Sequence, residues 1–318
     1  MHGGGSVETI FIVGVDSCVG SNLAGTWADR YRVIGLATSS KQIRITGCST
    51  STCVKQDSAT ANHWAMQERP DWIVIAGSAA QSIWDGPTLS LSNGAEIDAV
   101  SNWANAAKLN GSRLALISSD AVFTGPWMFH EEDSSCVCPS NMAQSIRQME
   151  SIVWSACPGS LIIRTNAFGW TPDGISDAWV EKTIAALDSS RDVNFDCVNY
   201  ATPIHACDLA NIMSAAFAAG LSGTMHIGSS ERTNQDRFAQ LLANRFGLPL
   251  PRGSAATRLS DRPRGFGRGE TSLSTRAISR ALGISMPMIS EGIEVLHEQA
   301  QSGYRSILNG TSMQERVA

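Results

Sequence analysis

Short apolar runs alternate with segments of helical period through the first half of the chain. TIFIVGV (9–15), YRVIGLAT (31–38), DWIVIAG (71–77), RLALISS (113–119) and SLIIRTN (160–166) are apolar-rich segments of seven or eight residues, the pattern of strands buried on both faces. Between them SNLAGTWAD places Leu23 and Trp27 on one helix face, HWAMQERP stops at Pro70, and longer helices are expected over about 95–109 and 140–156. Parallel strands need long crossovers, so this alternation predicts a doubly wound, parallel α/β sheet. Beyond residue 166 the rhythm loosens. Helices are expected near 176–188, 207–219, 234–246, 274–282 and 288–302, with short strand signals at 193–195 and 225–227. Ile43 and Ile45 give weak strand signals within a Ser/Thr-rich stretch, and the Arg/Gly/Pro-rich residues 251–269 read as a long surface loop.

In an open sheet of this kind, ligands bind outside the carboxyl ends of the strands. GVDSCVG joins the first strand to the first helix, with Gly14 and Gly20 on either side of Ser17. A turn that brings backbone close to a pyrophosphate, and rests its charge on helix amides, uses glycines in this way. Gly14 and Gly20 suit the turn and the helix–strand packing. Ser17 stands where the backbone should approach phosphate most closely, with its hydroxyl available as a donor, and Asp16 adds a negative charge beside an anion site. A strand–turn–helix without a ligand is the competing reading; the position after the first strand favours a dinucleotide. Cys18 and Val19 complete that turn, Ala76, Gly77 and Ser78 follow the strand at 71–77, and the expected cofactor is NAD or NADP. The second strand ends in ATSSK, without the acidic residue that would bind a ribose 2′-hydroxyl. Ser39, Ser40 and Lys41 either hold a 2′-phosphate, which leans toward NADP, or form a solvated loop.

Composition narrows the class. The 318 residues are 43% hydrophobic and 17% charged, and a net charge of -5 supplies neither a basic footprint for nucleic acid nor a polybasic membrane patch. No apolar run reaches the roughly 18 residues of a membrane helix. MHGGGS lacks the apolar core of a signal peptide and reads as a flexible leader, so the 8 Cys are expected to be reduced and the protein cytoplasmic. No Cys/His set has zinc spacing, and no metal is expected. Cys136 and Cys138 are loop or core residues, with a redox pair as the alternative. His205 and Asp208 in TPIHACDLA read as structural, Asp208 as a cap or buried partner. Among the 9 Trp, Trp84 and Trp127 fall in loops at the sheet's carboxyl edge and suit stacking on a ligand, whereas Trp27, Trp72, Trp103 and Trp154 read as packing.

RPDWIVIAGSAA, ISSDAVFTGP, IIRTNAFG, HACDLA, HIGSSE and RP…TSLSTRAISRALGI, in this order and spacing, resemble the dTDP-4-dehydrorhamnose reductase family of extended short-chain dehydrogenases/reductases over nearly the whole chain. ISSDAVFTG is the most specific of them. The resemblance implies an NAD(P)-binding Rossmann lobe over 7–170, with part of 191–222 returning to it, and a smaller lobe over 171–318 for a nucleotide-sugar. Hydride from NAD(P)H would reduce a 4-keto sugar between the two. It also implies a homodimer through the helices near 95–109 and 140–156. Thr124, Trp127, Asn166 and Arg262 are the expected substrate-side residues, with Arg252, Arg258 and Arg264 beside Arg262 in a loop whose guanidinium forks suit a diphosphate or are simply solvated.

Members of that family use a Ser/Thr, a Tyr as general acid, and a Lys one helical turn after the Tyr that lowers its pKa. Carried over position by position, the Ser/Thr falls on Ser119, the Tyr on Met142 and the Lys on Ile146; the family's Asn on the preceding helix falls on Glu96, with Asn93 close by. Neither Met nor Ile donates a proton. The chain has only 3 Tyr, at 31, 200 and 304, and no Lys between Lys108 and Lys182, so no shift of register restores the pair. Two functions follow. One is an NAD(P)-binding relative with impaired catalysis, acting as a ligand-binding or regulatory protein on a protein partner, as the regulatory subunit of methionine adenosyltransferase does on this fold. The other is an active NAD(P)H-dependent oxidoreductase in which Ser119, Thr124, His130, Arg147 or Tyr200 replaces the usual proton donor.

Overall fold

The computed structural model describes residues 7–85, 94–175, 178–189, 195–250 and 269–311. These form the strands β1 (Thr9–Val13), β2 (Arg32–Ala37), β3 (Ser49–Thr52), β4 (Trp72–Ile75), β5 (Arg113–Ser119), β6 (Leu161–Thr165), β7 (Ala167–Phe168), β8 (Tyr200–Ala201), β9 (Ile204–His205), β10 (Gly223–His226) and β11 (Thr233–Asn234). Seven of them make one sheet in the order β10-β6-β5-β4-β1-β2-β3. Every neighbouring pair in that sheet is parallel, with Ile12 of β1 opposite Gly35 and Val74. Two small pairs stand apart: β7 with β9, parallel, and β8 with β11, antiparallel.

The helices are α1 (Cys18–Trp27), α2 (Ser58–Glu68), α3 (Ala95–Asn110), α4 (Asn141–Ala156), α5 (Trp179–Asp188), α6 (Ala206–Ala218), α7 (Gln235–Phe246), α8 (Arg276–Leu282), α9 (Ile289–Ser302) and α10 (Tyr304–Leu308). Side-chain caps satisfy their leading amides: Ser17 for α1, Asp57 for α2, Ser140 for α4 and Asn234 for α7. α1 and α6 pack together on one face of the sheet, and α2, α3 and α4 side by side on the other. On the first face Trp72 stacks on Phe217 at 3.9 Å, while the Trp27 indole donates to the Ala210 carbonyl at 3.0 Å. On the second, Phe11 lies against Trp103 and Trp64. The parallel sheet thus has both faces covered, as its strands' uninterrupted hydrophobicity requires.

Three sequence expectations change. The third strand is at Ser49–Thr52 and not at Ile43 or Ile45. STST forms a polar, half-exposed edge strand that hydrophobic patterning does not register. Ile43 and Ile45 are buried side chains of an irregular segment, pinned where Thr50 Oγ1 donates to the Ile43 carbonyl at 2.6 Å. Trp154 is on the outer side of α4, 47% exposed, and is not a packing residue. Trp84 is buried and meets Trp179 edge-on at 4.8 Å and Phe238 at 5.7 Å, so its ring serves a hydrophobic cluster and no ligand. Of the strand expected at 193–195, residues 193 and 194 lie outside the described residues, as do 251–268 of the arginine-bearing loop.

α4 is anchored by charge as well as by apolar contact. Arg164 of β6 grips Glu150 with Nε on Oε1 at 2.9 Å and Nη2 on Oε2 at 2.8 Å, and Ser118 of β5 donates to Oε1 at 2.5 Å. The pair is largely buried and fully hydrogen-bonded, the condition under which such a pair is tolerable. It orients α4 so that Ile146, Met149 and Val153, all fully buried, enter the core beside Ile162 and Trp103. Ile146→Lys would place an ammonium there without a partner. It should cost more than Ile146→Ala, for which about 2–5 kcal/mol is expected, whereas Trp154→Lys on the exposed side should stay within about 0.5 kcal/mol of wild type. Urea unfolding of the three variants checks this, and a wild-type midpoint for Ile146→Lys would contradict the burial.

Candidate functional site

The strand order reverses at β1: the chain runs outward to β2 and β3 on one side, then returns to β4 on the other. A doubly wound sheet opens a crevice at that point. Here an open cleft of about 320 Å³ lies beyond the ends of β1 and β4, lined among others by Gly14, Ser17, Cys18, Val19, Gly77 and Ser78. Those six were expected from sequence. The remaining lining residues Asp16, Thr38, Ala80, Gln81, Asp85, Ala167, Thr171, Ile175, Ala178 and Lys182 were not among the expected cofactor or substrate residues.

The glycine turn is tight for steric reasons. Gly14 has φ 88°, and a Cβ there would sit 2.8 Å from the Ala76 carbonyl oxygen; a Cβ on Gly20 would stand 2.2 Å from the Gly14 carbonyl oxygen. Ser17 holds this arrangement from inside. Its hydroxyl accepts from Gly20 N at 2.9 Å and reaches the carbonyl oxygens of Gly14 at 2.8 Å and Ala76 at 2.7 Å. The Ser17 hydroxyl is therefore committed to backbone and is not a free donor for phosphate, which corrects the sequence expectation. Cys18 and Val19, at the first two helical positions, have amides without intrahelical acceptors, and both residues line the cleft. Gly20 and Ala76 are buried behind them.

Asp16, unfavourable beside an anion unless it points away, turns to the neighbouring strand. Its carboxylate turns to the end of β2 and accepts from Thr38 N at 2.9 Å, Ser39 N at 2.7 Å and Thr38 Oγ1 at 3.3 Å. Its charge is thereby offset by two amides of the neighbouring strand end. Ser40 and Lys41 are exposed and do not line the cleft. Beyond Thr38 a narrow apolar hollow runs under Ala79, Ala99, Val100 and Trp103, with Gln56 and Glu96 at its rim and Ser78 Oγ donating to Glu96 at 2.9 Å. At the other end of the cleft, α5 brings Lys182 near Asp85. Burial pushes the Asp85 carboxyl up, against the opposing pull of a hydrogen bond from Ser82 N at 2.8 Å and of the Lys182 charge. No local pattern marks Asp85 in the sequence, and Lys182 stands out there only as the next lysine after Lys108.

Ser119 and Asn166 sit beside the cleft without lining it. Ser119 is fully buried; its hydroxyl donates to the Gln81 carbonyl at 2.5 Å and accepts from Ala121 N at 3.0 Å. Asn166 donates to Asp120 Oδ2 at 2.9 Å, and Thr271 and Ile83 N close round the same carboxyl. Thr124 N donates to the Cys136 carbonyl. Trp127 is 66% exposed and stands apart from the cleft. Arg262 is outside the described residues. The substrate-side residues are therefore not brought together: Thr124 and Trp127 belong to the loop after β5, Asn166 to a buried network.

A family model, the RmlD substrate binding domain, matches residues 8–302. The chain belongs to this family. No curated protein sequence matches it. Among solved structures, the Bacillus anthracis str. Ames dTDP-4-dehydrorhamnose reductase in complex with NADP is 17% identical with a TM-score of 0.77, covering 93% of this chain and 100% of the other. The Bordetella bronchiseptica enzyme WbmG in complex with NAD is 15% identical with a TM-score of 0.77, covering 98% and 99%. MoeE5 in complex with UDP-glucose and NAD is 14% identical with a TM-score of 0.70, covering 93% and 99%. The Rossmann-type α/β fold of these structures is the fold of this RmlD-family chain.

None of Ser119, Thr124, His130, Arg147 and Tyr200 lines the cleft. Tyr31 lies edge-on to Trp27, Tyr200 lies under the Arg232 guanidinium at 4.2 Å, and Tyr304 is bonded to Asn22 and Cys207 where burial pushes its hydroxyl far up. Arg147 Nη1 donates to the Cys138 carbonyl at 2.8 Å, and His130 stacks on Phe123. His205 caps α6 while burial pushes it down to about 4, so it is structural as expected.

Asp120, next to Ser119, supplies a pH test of this wall. Burial raises its carboxyl from 3.8 to about 7, more than the hydrogen bonds from Asn166, Ile83, Thr271 and Ser119 lower it. Between about pH 4 and 7 the folded protein then holds a proton there that the unfolded chain has released, so this group makes stability fall as pH rises through that window. His205 and His226, both lowered by burial, act in the opposite sense but are common to wild type and variant. The stability of Asp120→Asn relative to wild type should therefore improve from pH 4 to pH 7. Denaturation at both pH values measures it, and a pH-independent difference would show that Asp120 does not titrate abnormally.

Proposed function

We propose that this RmlD-family chain binds a nicotinamide dinucleotide in the β1–β4 cleft and that its hydride-transfer chemistry is impaired, leaving ligand binding, and regulation of a protein partner through it, as its role. The observation that carries this is the make-up of the cleft. Its glycine turn and open helix amides suit a pyrophosphate, yet among its described lining residues there is no tyrosine, and its only lysine comes from α5. Ile146, in the position the resemblance assigns to the catalytic lysine, is a core side chain, and Met142 packs against the same cluster. The complexes of similar structures with NADP, NAD and UDP-glucose support the ligand class. In this proposal residues from 171 onward make the nucleotide-sugar side, and the outer faces of α3 and α4 make a homodimer.

One observation favours a second reading, an active oxidoreductase with a non-standard proton donor. Asp85 and Lys182 are an acid and a cation in the same cleft, and burial shifts the Asp85 carboxyl toward its protonated, proton-donating form. Titration with NADH and NADPH followed by fluorescence, then turnover on a panel of 4-keto nucleotide-sugars, separates the two. We expect saturable binding with turnover lower than a tyrosine-bearing reductase by a factor on the order of 10²–10⁴. Full turnover that is abolished by Asp85→Asn or Ser119→Ala would establish the second reading, and absence of any dinucleotide binding would remove both.

A further inference from the structure

We infer that Asp16 makes this cleft select the cofactor's 2′-hydroxyl over a 2′-phosphate, so that NAD(H) is preferred to NADP(H). The inference rests on the reading of the cleft as a dinucleotide site. In a doubly wound sheet the adenine ribose lies against the carboxyl end of the second strand, where an acidic side chain accepts from the 2′-hydroxyl or basic and amide donors hold a 2′-phosphate. Here no acid follows β2 in sequence, and Ser39, Ser40 and Lys41 suggested the phosphate. The fold brings an acid from elsewhere. Asp16, on the first turn, reaches across to the end of β2 and lines the cleft beside Gly14 and Thr38.

The hydrogen-bond count decides the direction. A 2′-phosphate needs donors, and the two amides at this corner, Thr38 N and Ser39 N, are already given to Asp16 at 2.9 and 2.7 Å. The Thr38 hydroxyl is also turned to Asp16, at 3.3 Å. A carboxylate offers about four lone-pair positions. These contacts occupy three, which leaves an acceptor and a negative charge at the ribose corner, with neither of the two amides nor the Thr38 hydroxyl free to donate. A 2′-hydroxyl satisfies that acceptor, whereas a 2′-phosphate meets like charge. Lys41, the nearest basic residue in the loop, is exposed, its amide is directed to Ser39 Oγ at 3.4 Å, and among the described residues no ion pair joins it to Asp16. The acid that sequence reading sought after the second strand is thus supplied by the first turn.

The test is competitive binding of NADH and NADPH to the full chain, with 5′-AMP and adenosine 2′,5′-bisphosphate as probes that lack the nicotinamide. Wild type should bind NADH at least about tenfold tighter than NADPH, a difference of about 1.4 kcal/mol, and should discriminate the two fragments in the same sense. Asp16→Asn keeps the shape and removes the charge; it should narrow the ratio by raising NADPH affinity while the melting temperature reports that the turn still folds. A purely structural Asp16 would instead weaken both cofactors alike, and that outcome overturns the inference. So does equal or tighter binding of NADPH by wild type, or a selective loss of NADPH affinity in Lys41→Ala with no change of ratio in Asp16→Asn. If a folded protein binds NADH and NADPH equally, the dinucleotide site stands and the role of Asp16 falls; if it binds neither, the cofactor reading falls and takes this inference with it.

Discussion

The approach of α1 to the turn that precedes it is the constraint on which the cleft depends. The Gly20 backbone comes so close to the Gly14 carbonyl that a side chain at position 20 would overlap it, and Gly14 in turn lies against the Ala76 carbonyl at the end of β4. The Ser17 hydroxyl ties these three segments together in a space that admits a hydroxymethyl group and little more. The two leading amides of α1 are aimed beyond the sheet edge because of this packing. With a wider turn the helix end would still exist, but its dipole would no longer face the crevice between β1 and β4.

The opposite face of the sheet is held by charge as well as by apolar packing. Arg164 and Glu150 hold α4 in a fixed rotation, and Ser118 adds a bond from β5. An α4 so oriented presents residue 146 to the core. A long cation at that position has to find its way out to a ligand, whereas an isoleucine completes the packing with Met149 and Val153. An isoleucine at 146 therefore carries no desolvation cost and leaves the packing complete.

Electrostatically the cleft is unusual for an anion site. Asp16 and Asp85 both line it, with Glu96 at the edge of the adjoining hollow, and Lys182 is its only described side-chain cation. Positive potential must come largely from the helix end. Asp16 is compatible with that because its carboxylate is tied to the amides of Thr38 and Ser39 at the end of β2 and not to the leading amides of α1. Asp85 is compatible because burial favours its neutral form. The acids of the cleft are managed by hydrogen bonding and desolvation in place of ion pairs.

The sequence by itself determined the architecture. Buried strands spaced by helical segments admit few topologies, and β5, read as residues 113–119, was found over the same residues. It also determined which residue types were absent, since three tyrosines and a lysine-free stretch are countable without a structure. The edge strand β3 and the pairs β7–β9 and β8–β11 were not legible, because a polar or two-residue strand is specified by its partner's hydrogen bonds and not by its own hydrophobicity. Most of the cleft lining was likewise decided only by tertiary structure. Asp16 is separated from Thr38 by a helix and a strand, and Asp85 from Lys182 by nearly a hundred residues. Local pattern carries the period of a helix or strand; it carries no information on which distant carboxylate will meet which amide. That depended on the rigid stacking of β1 between β2 and β4, which sets the ends of three strands within hydrogen-bonding reach of one another.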